Sequence, residues 1–165
     1  MDAIIYESNT GFTKKYAEML AKSENLPVYS SSDPGAPGGS EVIYMGWLMA
    51  GKVKGLKKAR ARYDVKAVCA VGMGPETGGQ TADISAKNPV GNVPLFYLQG
   101  GFDMARLKGI YRFMMKAMQR TIGSKLESKQ DITAEERDML DMINNGRDCV
   151  NPESLAKIKA WLKEL

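Results

Sequence analysis

Five short apolar runs recur along the chain, and their spacing limits the folds available to it. They are residues 2–6 (DAIIY), 26–30 (LPVYS), 41–46 (EVIYMG), 65–71 (VKAVCAV) and 93–98 (VPLFYL). Continuous apolar runs such as VCAV suit strands covered on both faces rather than half-exposed ones. Between them lie segments with helical periodicity or loop composition. Residues 12–23 place Phe12, Tyr16, Met19 and Leu20 on one face. Residues 52–62 look helical, with Lys52 at their start, and a short helix fits 80–87. Residues 31–40 (SSDPGAPGGS) are loop by composition. Alternation of this kind predicts an α/β fold, a doubly wound parallel sheet of five strands with helices on both faces.

The C-terminal third is expected to be helical. Residues 104–122 form a long amphipathic pattern. Thr133 and Glu136 make a capping box, and Asn151-Pro152 pairs an N-cap with a first-turn proline. There is no internal repeat and no linker, so 1–165 reads as a single domain with 104–148 as a helical insertion before the last helix.

Composition narrows the chemistry. The chain has no histidine, which excludes His-based triads and His-ligated metal sites. Cys69 and Cys149 stand too far apart in sequence for a metal or redox pair motif, and no metal site is expected. Cys69, inside an apolar run, reads as a buried thiol. No apolar run is long enough to span a bilayer, and the start lacks the pattern of a signal peptide. The expectation is a cytoplasmic protein, with peripheral membrane contact open.

The net charge of +4 is unevenly placed. Residues 52–62 hold six cations and no acid, 104–130 hold seven cations against Glu127, and 131–148 hold six acids against two arginines. No nucleic-acid signature accompanies the basic segments, so no nucleic-acid partner is expected. Lys108, Arg112, Lys116 and Arg120 recur every four residues beside an apolar side of Leu107, Ile110, Tyr111, Met114, Met115 and Met118. Such a helix suits core packing with a solvated basic face, an anionic membrane surface, or an acidic substrate.

The densest chemical signal is SNTGFT, residues 8–13, between the first strand and the first helix. In a parallel sheet this is where ligands bind. The helix N-terminus offers free N–H groups and a positive dipole end. Ser8, Asn9, Thr10 and Thr13 add neutral polar groups, and Gly11 lets the backbone approach closely. The loop matches neither the nucleoside-triphosphate loop nor the dinucleotide fingerprint, so a single terminal phosphate fits it best.

Position by position, Ser8, Asn9, Thr10, Gly11, Phe12 and Thr13 resemble the [ST]-x-T-G-x-T phosphate loop of flavodoxin-like domains, which bind FMN. That resemblance implies the strand order 2-1-3-4-5 and two further contacts with the flavin ring. One comes from the loop after the third strand, Trp47, Leu48, Met49, Ala50 and Gly51, with Trp47 suited to stacking. The other comes from Gly72, Met73 and Gly74 after the fourth strand, where this chain has no aromatic. Electron-carrying flavodoxins are usually acidic, and this chain is basic. Residues Gly100 or Gly101, Asp103, Tyr111, Arg112, Phe113, Met114 and Met115 are similar to a segment of the flavodoxin-like, menaquinone-dependent protoporphyrinogen oxidases. This implies an FMN-dependent oxidoreductase acting on a porphyrinogen, with electrons passed to a quinone. A soluble electron carrier and a flavodoxin-type domain that has lost FMN are the alternatives. A phospho-accepting receiver fits poorly, because the strand ends at Glu7, Trp47 and Gly72 supply no acidic cluster. No residue stands out as a catalytic acid or base.

Overall fold

The computed structural model describes residues 1–107, 109–127 and 132–165. Parallel strands β1 (Ala3–Glu7), β2 (Val28–Ser30), β3 (Glu41–Met49), β5 (Asp64–Gly72) and β6 (Leu95–Gln99) form one sheet in the order β2-β1-β3-β5-β6. This is the expected 2-1-3-4-5 order of the five parallel strands. The label shift comes from a two-residue strand β4 (Lys52–Val53), antiparallel to the end of β3.

Side-chain alternation along the strands builds two cores, one on each face. Ile5, Val42, Tyr44, Val68 and Ala70 meet Leu56 and Ala59 of α2 (Leu56–Arg62) and Ile84 of α3 (Gln80–Lys87). On the other face Ile4, Ile43, Met45, Cys69 and Leu98 meet Tyr16, Ala17 and Leu20 of α1 (Phe12–Glu24). Leu155, in a 3-10 turn over Pro152–Leu155, and Ile158 of α6 (Ala156–Leu162) complete that core. Both faces are covered, which is why the runs lack polar alternation. Cys69 is fully buried in this layer, and its burial raises the thiol pKa.

Local signals act where they were expected. Thr133 accepts from the Glu136 N–H, and the Glu136 side chain accepts from the Thr133 N–H, starting α5 (Ala134–Asn145). Asn151 caps the final helical segment by accepting from the Glu153 N–H.

Two boundaries differ from expectation. Trp47, Leu48 and Met49 continue β3 instead of forming a loop, and Lys52 lies in β4 instead of opening a helix. Ala50 and Gly51 both have positive φ, at 50° and 75°. That is the backbone of a tight hairpin whose twist suits antiparallel strands. Asn88 fixes this hairpin by accepting from Val53 N–H and donating to the Gly51 carbonyl, each at 2.8 Å. The next helix, α2, starts only after Gly55. Likewise α4 covers Gly109–Glu127, not 104–122. The Asp103 carboxylate accepts from the N–H groups of Ala105 and Arg106, holding residues 103–106 in a turn. The expected cation Lys108 lies outside the described residues.

The insertion is closed at its base. Strand β7 (Gly101–Phe102) pairs antiparallel with β8 (Arg147–Asp148) as a separate two-stranded ribbon, so the insertion starts and ends at one place. Arg147 ties the ribbon to α5 through Asp138 at 2.7 Å and Asp141 at 2.8 Å. The Asn145 amide and the Arg147 guanidinium hold the Asp141 carboxyl below its usual range. A depressed carboxyl stabilises the fold above the ordinary Asp value and ceases to as pH falls through its folded value. Amide exchange at Phe102 and Arg147, corrected for intrinsic rates, is therefore expected to quicken below about pH 4. An Asp141→Asn variant should show the quicker opening at neutral pH already. Equal protection in both proteins across this range would refute the link.

Candidate functional site

Strand order places the site. The chain turns one way from β1 to β2 and the other way to β3, so the switch point lies at the ends of β1 and β3. Glu7 registers with Gly46, which sets the 8–13 loop beside the start of the Trp47 extension.

Within that loop Ser8 accepts from the Gly11 N–H at 3.1 Å. Gly11 has φ 97°, a conformation that side chains strain to adopt, and helix α1 begins directly after it. Phe12 and Thr13 are buried in the first turn of α1, while Ser8, Asn9, Thr10 and Gly11 keep partial exposure. The Asn9 amide nitrogen is buried without a hydrogen-bond partner. An unpaired buried donor costs about 1–3 kcal/mol, so this group favours an incoming acceptor.

A cation also reaches the loop. Arg106 donates from one guanidinium nitrogen to the Thr10 carbonyl at 3.4 Å, and its Nε pairs with Asp103 at 3.0 Å. The same terminal nitrogen stands 3.3 Å from where a Cβ on Gly11 would lie. Arg106 comes from the insertion, 96 positions from Thr10. Nothing local in the sequence marks it. A cavity of about 490 Å³ opens next to it, lined by Phe12, Phe102, Asp103, Met104 and the 144–148 segment.

The other expected site residues fall into two groups, because Trp47 and Leu48 leave the strand on opposite faces. Trp47 meets Tyr111 of α4 edge-on, with ring centroids 5.1 Å apart and planes at 90°. The Lys54 ammonium stands 6.0 Å from the Trp47 ring and 5.9 Å from the Tyr111 ring. Leu48 and Gly51 instead join Gly72, Met73, Gly74 and Tyr97 around a cavity of about 290 Å³. Met49 pairs with Lys52 in the hairpin, and Ala50 sits exposed at its tip.

The 72–74 backbone is firmly held. Gly72 accepts from the Gly100 N–H at 2.7 Å, and Gly74 accepts from the Tyr97 hydroxyl at 2.6 Å. Met73 packs with Met104, Tyr111 and Met115 on a small core of Phe102, Leu107 and Met142. Tyr111 thus supplies an aromatic where the 72–74 loop has none. The basic 52–62 segment has a structural use in part: Arg60 donates to the Val90 carbonyl at 2.6 Å and Arg62 to the Ala36 carbonyl at 2.9 Å.

The site can accept a phosphate through neutral donors and one guanidinium, next to an aromatic pair and a pinned glycine loop. Compared with known proteins, the chain matches no family model, no curated protein and no solved structure.

Proposed function

We propose that the chain is an FMN-binding, flavodoxin-like redox protein. The observation that carries this reading is the 8–13 loop at the switch point, with its unpartnered Asn9 amide and the Arg106 guanidinium beside Thr10. Those groups fit a terminal phosphate. In this reading Ser8, Asn9, Thr10, Gly11 and Thr13 hold the phosphate with Arg106. Trp47 and Tyr111 give an aromatic wall, and the 48–51 hairpin and the 72–74 loop bound the ring region. The flavin, when bound, supplies the electron transfer. The chain binds it, orients it and shields it from water.

Within this class we favour an oxidoreductase resembling the menaquinone-dependent protoporphyrinogen oxidases, with a porphyrinogen as donor and a quinone as acceptor. Support comes from the basic, Met- and aromatic-rich α4, whose Tyr111 reaches Trp47. A soluble carrier would bind flavin equally well but would not turn over a porphyrinogen with a quinone.

The direct test is the absorbance spectrum of purified protein after FMN addition and buffer exchange. Retained flavin bands support the reading. Complete loss of flavin from folded protein would leave a domain that has kept the loop without the ligand.

Arg106 gives a sharper expectation. Removing one charge-assisted contact costs about 1.5–3 kcal/mol, or roughly 10–100-fold in affinity. Arg106→Gln should weaken FMN by that factor and leave riboflavin, which lacks the phosphate, unchanged. Titration calorimetry with both flavins reads this out. An equal change for both flavins would place Arg106 away from the phosphate.

A further inference from the structure

Helix α4 carries more large apolar residues than the molecule buries. Tyr111 and Met115 turn inward onto the Phe102, Leu107 and Met142 core. Ile110, Phe113, Met114 and Met118 stay exposed, at 67%, 73%, 45% and 37%. At 100° per residue these four fall on one arc about 140° wide. Arg112, Lys116 and Arg120 are all exposed and recur every four residues. They form a row along the Phe113 edge of that arc. None of the three pairs with an acid among the described residues, and residues 109–121 contain no acid. The acids of the neighbouring helix are partly neutralised, since Asp138 and Asp141 bind Arg147.

We propose that this face of α4 docks side-on to an anionic lipid surface. The apolar arc enters the boundary between headgroups and acyl chains, and the cation row lies on the lipid phosphates. Charge complementarity selects this occupant. A helix lying in a bilayer interface needs an apolar arc flanked by long cationic side chains, whose stems stay with the apolar layer while their heads reach phosphate. A second copy of the chain packed on the same face would bring two such rows together, and like charges would oppose the contact. No helix among the described residues is long and apolar enough to cross a membrane, which fits contact at the surface. The proposal stands on α4 alone and does not depend on flavin.

The experiment is co-sedimentation of the full chain with vesicles of phosphatidylcholine alone, or with about one third phosphatidylglycerol. Binding to the anionic vesicles, weakened by salt and at least 10-fold weaker on neutral ones, is the expected result. Phe113→Ser should weaken it several-fold. The triple variant Arg112→Gln, Lys116→Gln, Arg120→Gln should weaken it by about two orders of magnitude, since each cation near an anionic surface contributes several-fold. These side chains are exposed, so the variants should keep the wild-type circular dichroism. Equal binding to both vesicle types, or none, overturns the proposal. So does a concentration-dependent dimer that Phe113→Ser converts to monomer, because it would assign the face to a second copy.

Discussion

Thr10→Glu should lower FMN affinity by about 10³-fold while leaving the fold intact. Thr10 is only partly buried, in the loop ahead of α1 and outside both cores. A carboxylate there lies among groups suited to a phosphate. Two like charges about 4 Å apart at a partly screened site repel by about 4 kcal/mol, which is close to three orders of magnitude in affinity. The new carboxylate would also sit within reach of Arg106, whose guanidinium already contacts the Thr10 carbonyl. An internal ion pair would then hold the position that a ligand phosphate would take. Riboflavin is the control, because it has the ring without the phosphate and should bind the variant and the wild type alike. If Thr10→Glu and wild type bind FMN equally, the loop is not a phosphate site, whatever the flavin bands show.

The second large effect concerns stability. Gly55→Ala should destabilise the protein by about 2–4 kcal/mol, measured by urea unfolding. Gly55 has φ 76°, which costs an alanine about 1 kcal/mol. A Cβ at this position would also fall inside contact distance of the Glu7 carboxylate and the Tyr44 hydroxyl. Tyr44 cannot withdraw easily, whereas the Glu7 carboxylate ends a flexible, half-buried side chain. Tyr44 is fully buried and donates to the Lys54 carbonyl at 2.7 Å, and Glu7 accepts from Ser31 at 3.4 Å. Gly39→Ala is the matched control, since Gly39 has φ 77° with open space around it. It should show only the backbone cost. Equal losses in the two variants would mean that the close approach of Glu7 and Tyr44 contributes nothing.

Glu7, Tyr44 and Lys54 meet near the end of β1, the region that also carries the 8–13 loop and Trp47. Rigidity there is built from glycine close approaches and from the Asn88 clamp on the hairpin. The insertion supplies the remaining wall through Tyr111 and the remaining charge through Arg106. A site assembled from both parts depends on the β7–β8 ribbon, which fixes where the insertion leaves the sheet.

Much of this was legible in the residues themselves. Short continuous apolar runs bounded by turn residues suit strands covered on both faces, so VCAV and its partners pointed to a parallel sheet. The capping box at Thr133 and the Asn151-Pro152 start act within a few residues, and both fold as written. The SNTGFT loop falls at the end of β1 because strand, loop and helix follow one another in the chain. What tertiary structure decided is every contact between distant segments. Trp47 belongs to a hairpin in which its carbonyl accepts from Lys54 N–H, and Asn88, far along the chain, holds that hairpin at Gly51 and Val53. Arg106 reaches Thr10 from the insertion, whose two ends the β7–β8 ribbon holds together. Periodicity gave α4 an apolar side, but which apolar residues face inward was set by the small core of Phe102, Leu107 and Met142. Of α4, Tyr111 and Met115 pack on that core, while Ile110, Phe113, Met114 and Met118 stay exposed.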